Sequence, residues 1–217
     1  MKKGLKTIIV AALSLIMVST SAFSVFAYDQ AAAQEYADRT VFSAPMFTSD
    51  CTYYVSNCIN HGFGGLTQND DWYWNHIISY SKSWTVANDL KEYLNNKQGA
   101  ALLGRWSYNA GYNSNGVYHY SYRIKNSANI AGLGSEIVFY DWNGNGKMSH
   151  AAIVVGTNYA YQGNQGEIAS FDYSTAKGGF GDLINQHTTA RRHQIWNLNY
   201  FNADRVTTNI YAYRLKT

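Results

Sequence analysis

The apolar residues of this chain change period once along its length, and that change limits what the chain can build. Up to about residue 96 they recur at helical spacing; beyond it they alternate. Residues 29–40 are alanine-rich, with Ala33, Tyr36 and Ala37 along one side and Asp29 placed to cap the start. Ser49-Asp50 reads as a cap ahead of a second helix running from Cys51 to His61, and Gly62 reads as its stop. On that helix Cys51, Tyr54, Val55, Cys58 and Ile59 occupy one buried stripe. Residues 63–82 read as a Gly- and Trp-rich loop. A third helix is expected from Thr85 to Asn96, with Ala87, Leu90 and Leu94 inward and Gly99 beyond its end.

Strand patterns follow. Val117 to Ile124 alternates, with Tyr118, Tyr120 and Tyr122 on one face. Glu136 to Trp142 and Ser149 to Gly156 read as two arms of a hairpin about Asn143-Gly144-Asn145-Gly146. Further strands are expected around 167–173, 181–188 and 209–215. Helices first and antiparallel strands afterwards predict an α+β fold, the helices packed on the sheet. No repeat, low-complexity tract or linker divides the chain after its first residues, so one domain is expected over 28–217.

Residues 1–27 have the grammar of a secretory signal. Lys2, Lys3 and Lys6 precede an apolar run from Thr7 to Val18, and Val25-Phe26-Ala27 supplies the small-x-small pattern of a cleavage site. The apolar run is shorter than the roughly 20 residues that span a bilayer, so cleavage and secretion are expected rather than a stable membrane anchor. Removing the leader takes three of the 17 basic residues and none of the 14 acidic ones, which leaves a formally neutral chain of 190 residues. Such a chain lacks the electrostatic pull that nucleic-acid binding requires. Nineteen tyrosines and six tryptophans suit a sheet-rich protein, and also suit stacking on sugars or peptides.

In an exported chain two cysteines suggest a disulfide by default. Cys51 and Cys58, however, are seven helical rises apart, about 10.5 Å, beyond the roughly 6.8 Å that a disulfide allows. Cys51 stands at a helix N-terminus, where the macrodipole and the free N–H groups stabilise a thiolate and could hold an oxyanion. Cys58 reads as a small core residue. A thiol nucleophile requires a base, usually histidine. His61, His76 and His193 lie in polar or loop settings, and His119 faces away from the tyrosines of its strand. His150 opens the apolar strand Ala151 to Val155, where a rigid sheet can aim an imidazole at a helix end. Candidates to orient the imidazole are His187 and Asn185, which alternate with Leu183, and also Asp172.

Asp50-Cys51-Thr52-Tyr53-Tyr54-Val55-Ser56-Asn57 resembles the DCTNFVSQ motif of the bacterial putative amidase domain family. Further landmarks fall in order: Tyr28-Asp29, Trp72-Tyr73, Ser83-Trp84-Thr85, Phe139-Tyr140-Asp141-Trp142, Ser149-His150-Ala151 and Gln186-His187-Thr188. The resemblance implies a papain-like fold related to the NlpC-type and CHAP wall hydrolases. It also implies a Cys51–His150 pair with His187 as third member, and the peptide part of peptidoglycan as substrate. Departures occur at Ser49 and at Ser135-Glu136, neither of which touches the nucleophile or the base.

Asp141, Asn143, Asn145 and Gly146 fit the opening of a calcium loop, but Ala152 stands where a bidentate glutamate belongs, so a hairpin turn is the expected reading and no cofactor is assigned. G-x-S-x-G, H-E-x-x-H, zinc-spaced cysteines and phosphate-cradling loops are absent. Two other functions fit the same residues: an exported effector or toxin acting on other proteins, and a non-catalytic wall- or glycan-binding module. A monomer is expected.

Overall fold

Asp29 begins the first helix as its pattern requires, its carboxylate accepting from the Ala32 N–H at 3.0 Å. The computed structural model describes residues 27–65, 68–75, 78–107, 110–112, 118–120, 133–156, 182–196, 198, 204 and 207–216. The leader, the strand expected at 167–173 and Asp172 lie outside them. In chain order the elements are α1 (Gln30–Thr40), α2 (Cys51–Gly62), β1 (Trp74–Asn75), β2 (Ser79–Tyr80), α3 (Lys82–Thr85) and α4 (Ala87–Asn96). They continue with β3 (Ala101–Ser107), β4 (Ala110–Tyr112), β5 (Tyr118–Tyr120), β6 (Glu136–Asp141), β7 (His150–Gly156), β8 (Leu183–Gln186), β9 (Arg191–Ile195) and β10 (Asn209–Arg214).

Six strands form one antiparallel sheet in the order β3-β10-β6-β7-β8-β9, and β1-β2 and β4-β5 form two small ladders. Each of the central strands β6 and β7 is buried on both faces, because two apolar clusters sandwich the sheet. On the helix side Ile137, Phe139, Ala151, Ile153 and Val155 meet Ala33, Ala37, Val55, Cys58, Ile59, Leu90 and Leu94. On the other side Val138, Tyr140, Ala152, Val154 and Ile184 pack with Trp196, Leu198 and Ile210. The α+β expectation, helices packed on an antiparallel sheet, agrees with this architecture.

Several local readings change. The segment 63–82 is not all loop, since Trp74 pairs with Tyr80 and Asn75 with Ser79. The helix expected from Thr85 to Asn96 breaks at Val86, whose φ of −117° and ψ of 123° are extended, so α3 ends and α4 starts around a β-branched residue. The expected hairpin exists, with Tyr140 opposite His150, and its connection runs over residues 142–149. The Asp141 carboxylate folds this loop by accepting from the N–H groups of Asn145 (3.1 Å) and Gly146 (2.7 Å), while Asn145 Oδ1 accepts from Lys147 N–H. The motif therefore works as turn chemistry. Among the described residues no cluster of three His, Cys, Asp or Glu could hold a metal ion.

Tyr28 joins the two helices to the sheet. Its hydroxyl donates to Gly134 O at 2.5 Å, Phe63 meets its ring edge-on at 4.8 Å, and the Asp29 N–H donates to Gly62 O at 2.7 Å. Gly62 closes α2 because of close approach: a Cβ there would lie 2.4 Å from Tyr28 Cε2. Overpacking of this kind costs about 1–3 kcal/mol, so Gly62→Ala should lower stability in denaturant melts by that amount. In a Tyr28→Ala background the same substitution should be nearly neutral; an equal cost in both backgrounds would contradict the contact.

Candidate active site

Helix α2 is amphipathic, and burial of its stripe against α1 and the sheet sets its N-terminus at the end of β7 where His150 begins the strand. Cys51 and Cys58 are both buried and free, as the helical spacing requires, but their surroundings differ in kind. Cys58 is fully enclosed, and burial pushes its thiol above the ordinary value. Cys51 is buried too, which alone would raise its pKa. The charge of His150, a hydrogen bond to it, the Ala151 backbone and the Thr52 hydroxyl together outweigh burial and bring the thiol from an ordinary 9.0 down to about 6.

His150 shows the reciprocal effect. Burial favours its neutral form, yet the Cys51 thiolate, the hydrogen bond to it and the hydrogen bond to Gln186 together raise its pKa above 6.5. Its ring stacks on Trp142 at 5.5 Å with Tyr140 beside it, so two aromatic rings shield it from water. Gln186 Oε1 lies 3.0 Å from His150 Nε2, and the Gln186 amide nitrogen donates to Thr189 O at 3.0 Å. That second bond turns the amide oxygen toward the ring, so His150 Nε2–H donates to it and Nδ1 is left to face the thiol.

The side chain that meets the His150 ring in the structure is therefore Gln186. His187 is placed elsewhere: its Nδ1 meets Asp50 Oδ2 at 2.7 Å, its Nε2 meets Thr40 O at 3.0 Å, and its ring stacks on Tyr54 at 4.1 Å. Asn185 donates to Asp38 Oδ1 at 2.8 Å and accepts from the His193 N–H, so it ties the sheet to α1. His193, read from sequence as solvated, bonds the same Asp38 at 2.8 Å. The reason is strand parity. Ile184 and Gln186 share the face of Val154, Ala152 and His150, whereas Asn185 points to the helix side. The pairing of Ile184 with Val154 selects Gln186, and no pattern within β8 alone carries that pairing.

Asp50 holds the N-cap position of α2, as expected, but its side chain makes no cap bond. Its Oδ1 accepts from the Met46 and Phe47 N–H groups, both at 3.1 Å, and its Oδ2 from His187. The cap arrives instead from 137 residues along the chain: Thr188 Oγ1 accepts from the N–H groups of Asp50 (3.0 Å) and Cys51 (3.2 Å). Phe47 meets Tyr53 of the first turn of α2, Trp74 and Tyr80 edge-on at 5.6 to 5.8 Å, a partly exposed aromatic wall.

Residues 27–211 match the sequence profile of a family described as "putative amidase domain". The uncharacterized protein YhbB of Bacillus subtilis (strain 168) is 27% identical over 137 residues, which is 60% of this chain and 38% of that protein. The chain thus spans well under half the length of this curated relative. No solved structure matches the chain.

The two thiols should part sharply in solution. Iodoacetamide should label Cys51 with a rate that rises through a midpoint near pH 6, while Cys58 in the folded protein stays unlabelled. In His150→Ala the Cys51 midpoint should rise toward the ordinary 9.0, because burial is then opposed only by the Ala151 backbone and the Thr52 hydroxyl. A native midpoint near 9.0, read by mass spectrometry of labelled peptides, would contradict the pairing.

Proposed function

Because the chain belongs to the putative amidase domain family, an assignment that carries amide hydrolysis with it, we propose that it is an exported, papain-like cysteine amidase acting on the peptide part of peptidoglycan. The single observation that carries the cysteine mechanism is the burial of Cys51, first residue of α2, against His150, first residue of β7, where each charge favours the other: the thiol is drawn down to about 6 and the imidazole upward. The leader-like residues 1–27 support export, and export supports a wall substrate.

In this reading the Cys51 thiolate attacks the amide carbonyl, forming an S–C bond as the π pair moves to oxygen. Collapse of that intermediate breaks the C–N bond, and the His150 imidazolium gives its proton to the leaving amine. The neutral ring then takes a proton from water as the water oxygen attacks the thioester, and collapse of that second intermediate breaks the S–C bond, releases the carboxylic acid and restores the Cys51 thiolate beside protonated His150. Gln186 acts as a positioning residue: it holds Nε2–H, so the ring stays turned toward the sulfur. Phe47, Tyr53, Trp74 and Tyr80 offer stacking surface for the substrate beside the first turn of α2.

The pair is competent only while the thiol is ionised and the imidazole protonated. Activity should therefore climb as pH passes about 6, where Cys51 ionises, and decline once pH exceeds the raised pKa of His150. Digestion of purified peptidoglycan, read by mass spectrometry, should yield fragments with new amine and carboxylate ends. Cys51→Ala should yield none, and Gln186→Leu should lower kcat about 100-fold, the usual cost of a misplaced catalytic group. Identical fragments from Cys51→Ala would refute the cysteine mechanism. The aromatic wall favours one second reading, a wall- or glycan-binding module. Tight sedimentation with peptidoglycan by a protein that produces no fragments would support that instead.

A further inference from the structure

The tripeptide Gln186-His187-Thr188, where β8 runs into its turn, reaches each polar part of the candidate site. Gln186 meets His150, His187 meets Asp50, and Thr188 meets the main chain of Asp50 and Cys51. Thr188 does this with φ at 79°, in the left-handed region that β-branched residues rarely adopt. Glycine would make such a turn with less strain; what glycine lacks is the hydroxyl. Backbone outliers of this kind persist where the surroundings over-determine them, commonly at functional sites.

A hydroxyl has two lone pairs and one hydrogen. In Thr188 both lone pairs receive N–H groups from the start of α2, so the O–H bond points away from that helix end. Thr188 is exposed, and among the described residues no acceptor meets this hydrogen. The Cys51 N–H, at the helix end whose free N–H groups could hold an oxyanion, is already engaged by this oxygen.

We propose that the Thr188 hydroxyl is the oxyanion donor of the site, relaying the positive pole of the α2 N-terminus to the carbonyl oxygen of the amide that Cys51 attacks. The inference rests on the cysteine-hydrolase reading above. Two N–H groups donating to Oγ1 polarise its O–H bond, and the helix dipole adds to the same sense. As the S–C bond forms and the carbonyl π pair moves onto oxygen, the hydrogen of Thr188 meets the growing negative charge; it is donated as a hydrogen bond and stays on Thr188. Thr188 is then a catalytic residue, one that touches the reacting oxygen.

Carbon-13-labelled acetaldehyde tests this without knowledge of the natural amide. Its carbonyl adds to the Cys51 thiol to give a thiohemiacetal, seen by NMR, in which the former carbonyl oxygen lies where the oxyanion would. Alkylation by iodoacetamide uses the same sulfur but develops no charge on an oxygen. Thr188→Val and Thr188→Gly should weaken the acetaldehyde adduct about tenfold, the worth of one hydrogen bond, and keep the native alkylation rate at Cys51. Thr188→Ser should restore the adduct, and Thr188→Gly also relieves the left-handed strain, so a fold defect in the valine variant would not mimic the result. Unchanged adduct affinity would overturn the inference. So would a tighter adduct, which would make the hydroxyl an obstruction, or a parallel loss of alkylation, which would make Thr188 a helix cap alone. Native protein that forms no adduct and shows no selective alkylation of Cys51 would instead defeat the hydrolase reading itself.

Discussion

A thiol and an imidazole buried together are the constraint on which the site depends. Either group alone would be driven to its neutral form by burial, the thiol upward and the imidazole downward in pKa. Placed against each other they reverse both tendencies, because charge attraction gains strength where water is excluded. Trp142 and Tyr140 supply that exclusion on one side and the packed α2 stripe on the other. Cys58 provides the internal comparison. It lies on the same helix and the same apolar stripe, but among the described residues no imidazole faces it, and burial pushes its thiol up.

What aligns the pair is the rigidity of two elements meeting end-on. Helix α2 is anchored by Tyr54, which donates to Ala37 O at 2.7 Å, and by the close fit of Gly62 against Tyr28. Strand β7 is held between β6 and β8 and tied to α1 by Gln34, which donates to Val155 O at 2.7 Å. One turn after β8 then clamps the junction from the far side, through Gln186, His187 and Thr188. Sites built from helix and strand ends hold their geometry because the supporting packing is dense; here the loop contribution is small and strongly hydrogen-bonded.

Much of this was legible in the residues. Helical spacing located α1 and α2, the seven-residue gap excluded a Cys51–Cys58 disulfide, and the apolar run after His150 located β7. Alternation within β8 alone groups 183, 185 and 187, and passes over Gln186 as the partner of His150. The face is decided across strands, by Ile184 opposite Val154, and that pairing is a tertiary fact. Asp50 takes the N-cap position that its type suits, but a distant threonine meets the N–H groups there and the carboxylate meets His187 instead. Strands β3 and β9 were missed because Arg105 and Arg191-Arg192-His193 dilute their apolar pattern, and pairing with β10 and β8 overrides weak propensity.

The charge on His150 is the most direct measure of the central claim. NMR titration of its ring should show an imidazolium that persists above pH 6.5 in the native protein, since the Cys51 thiolate and Gln186 outweigh burial. In Cys51→Ala the thiolate is gone and burial is the largest remaining influence, so the ring should lose its proton at lower pH than in the native protein. A ring that titrates alike with and without the Cys51 sulfur would contradict the account.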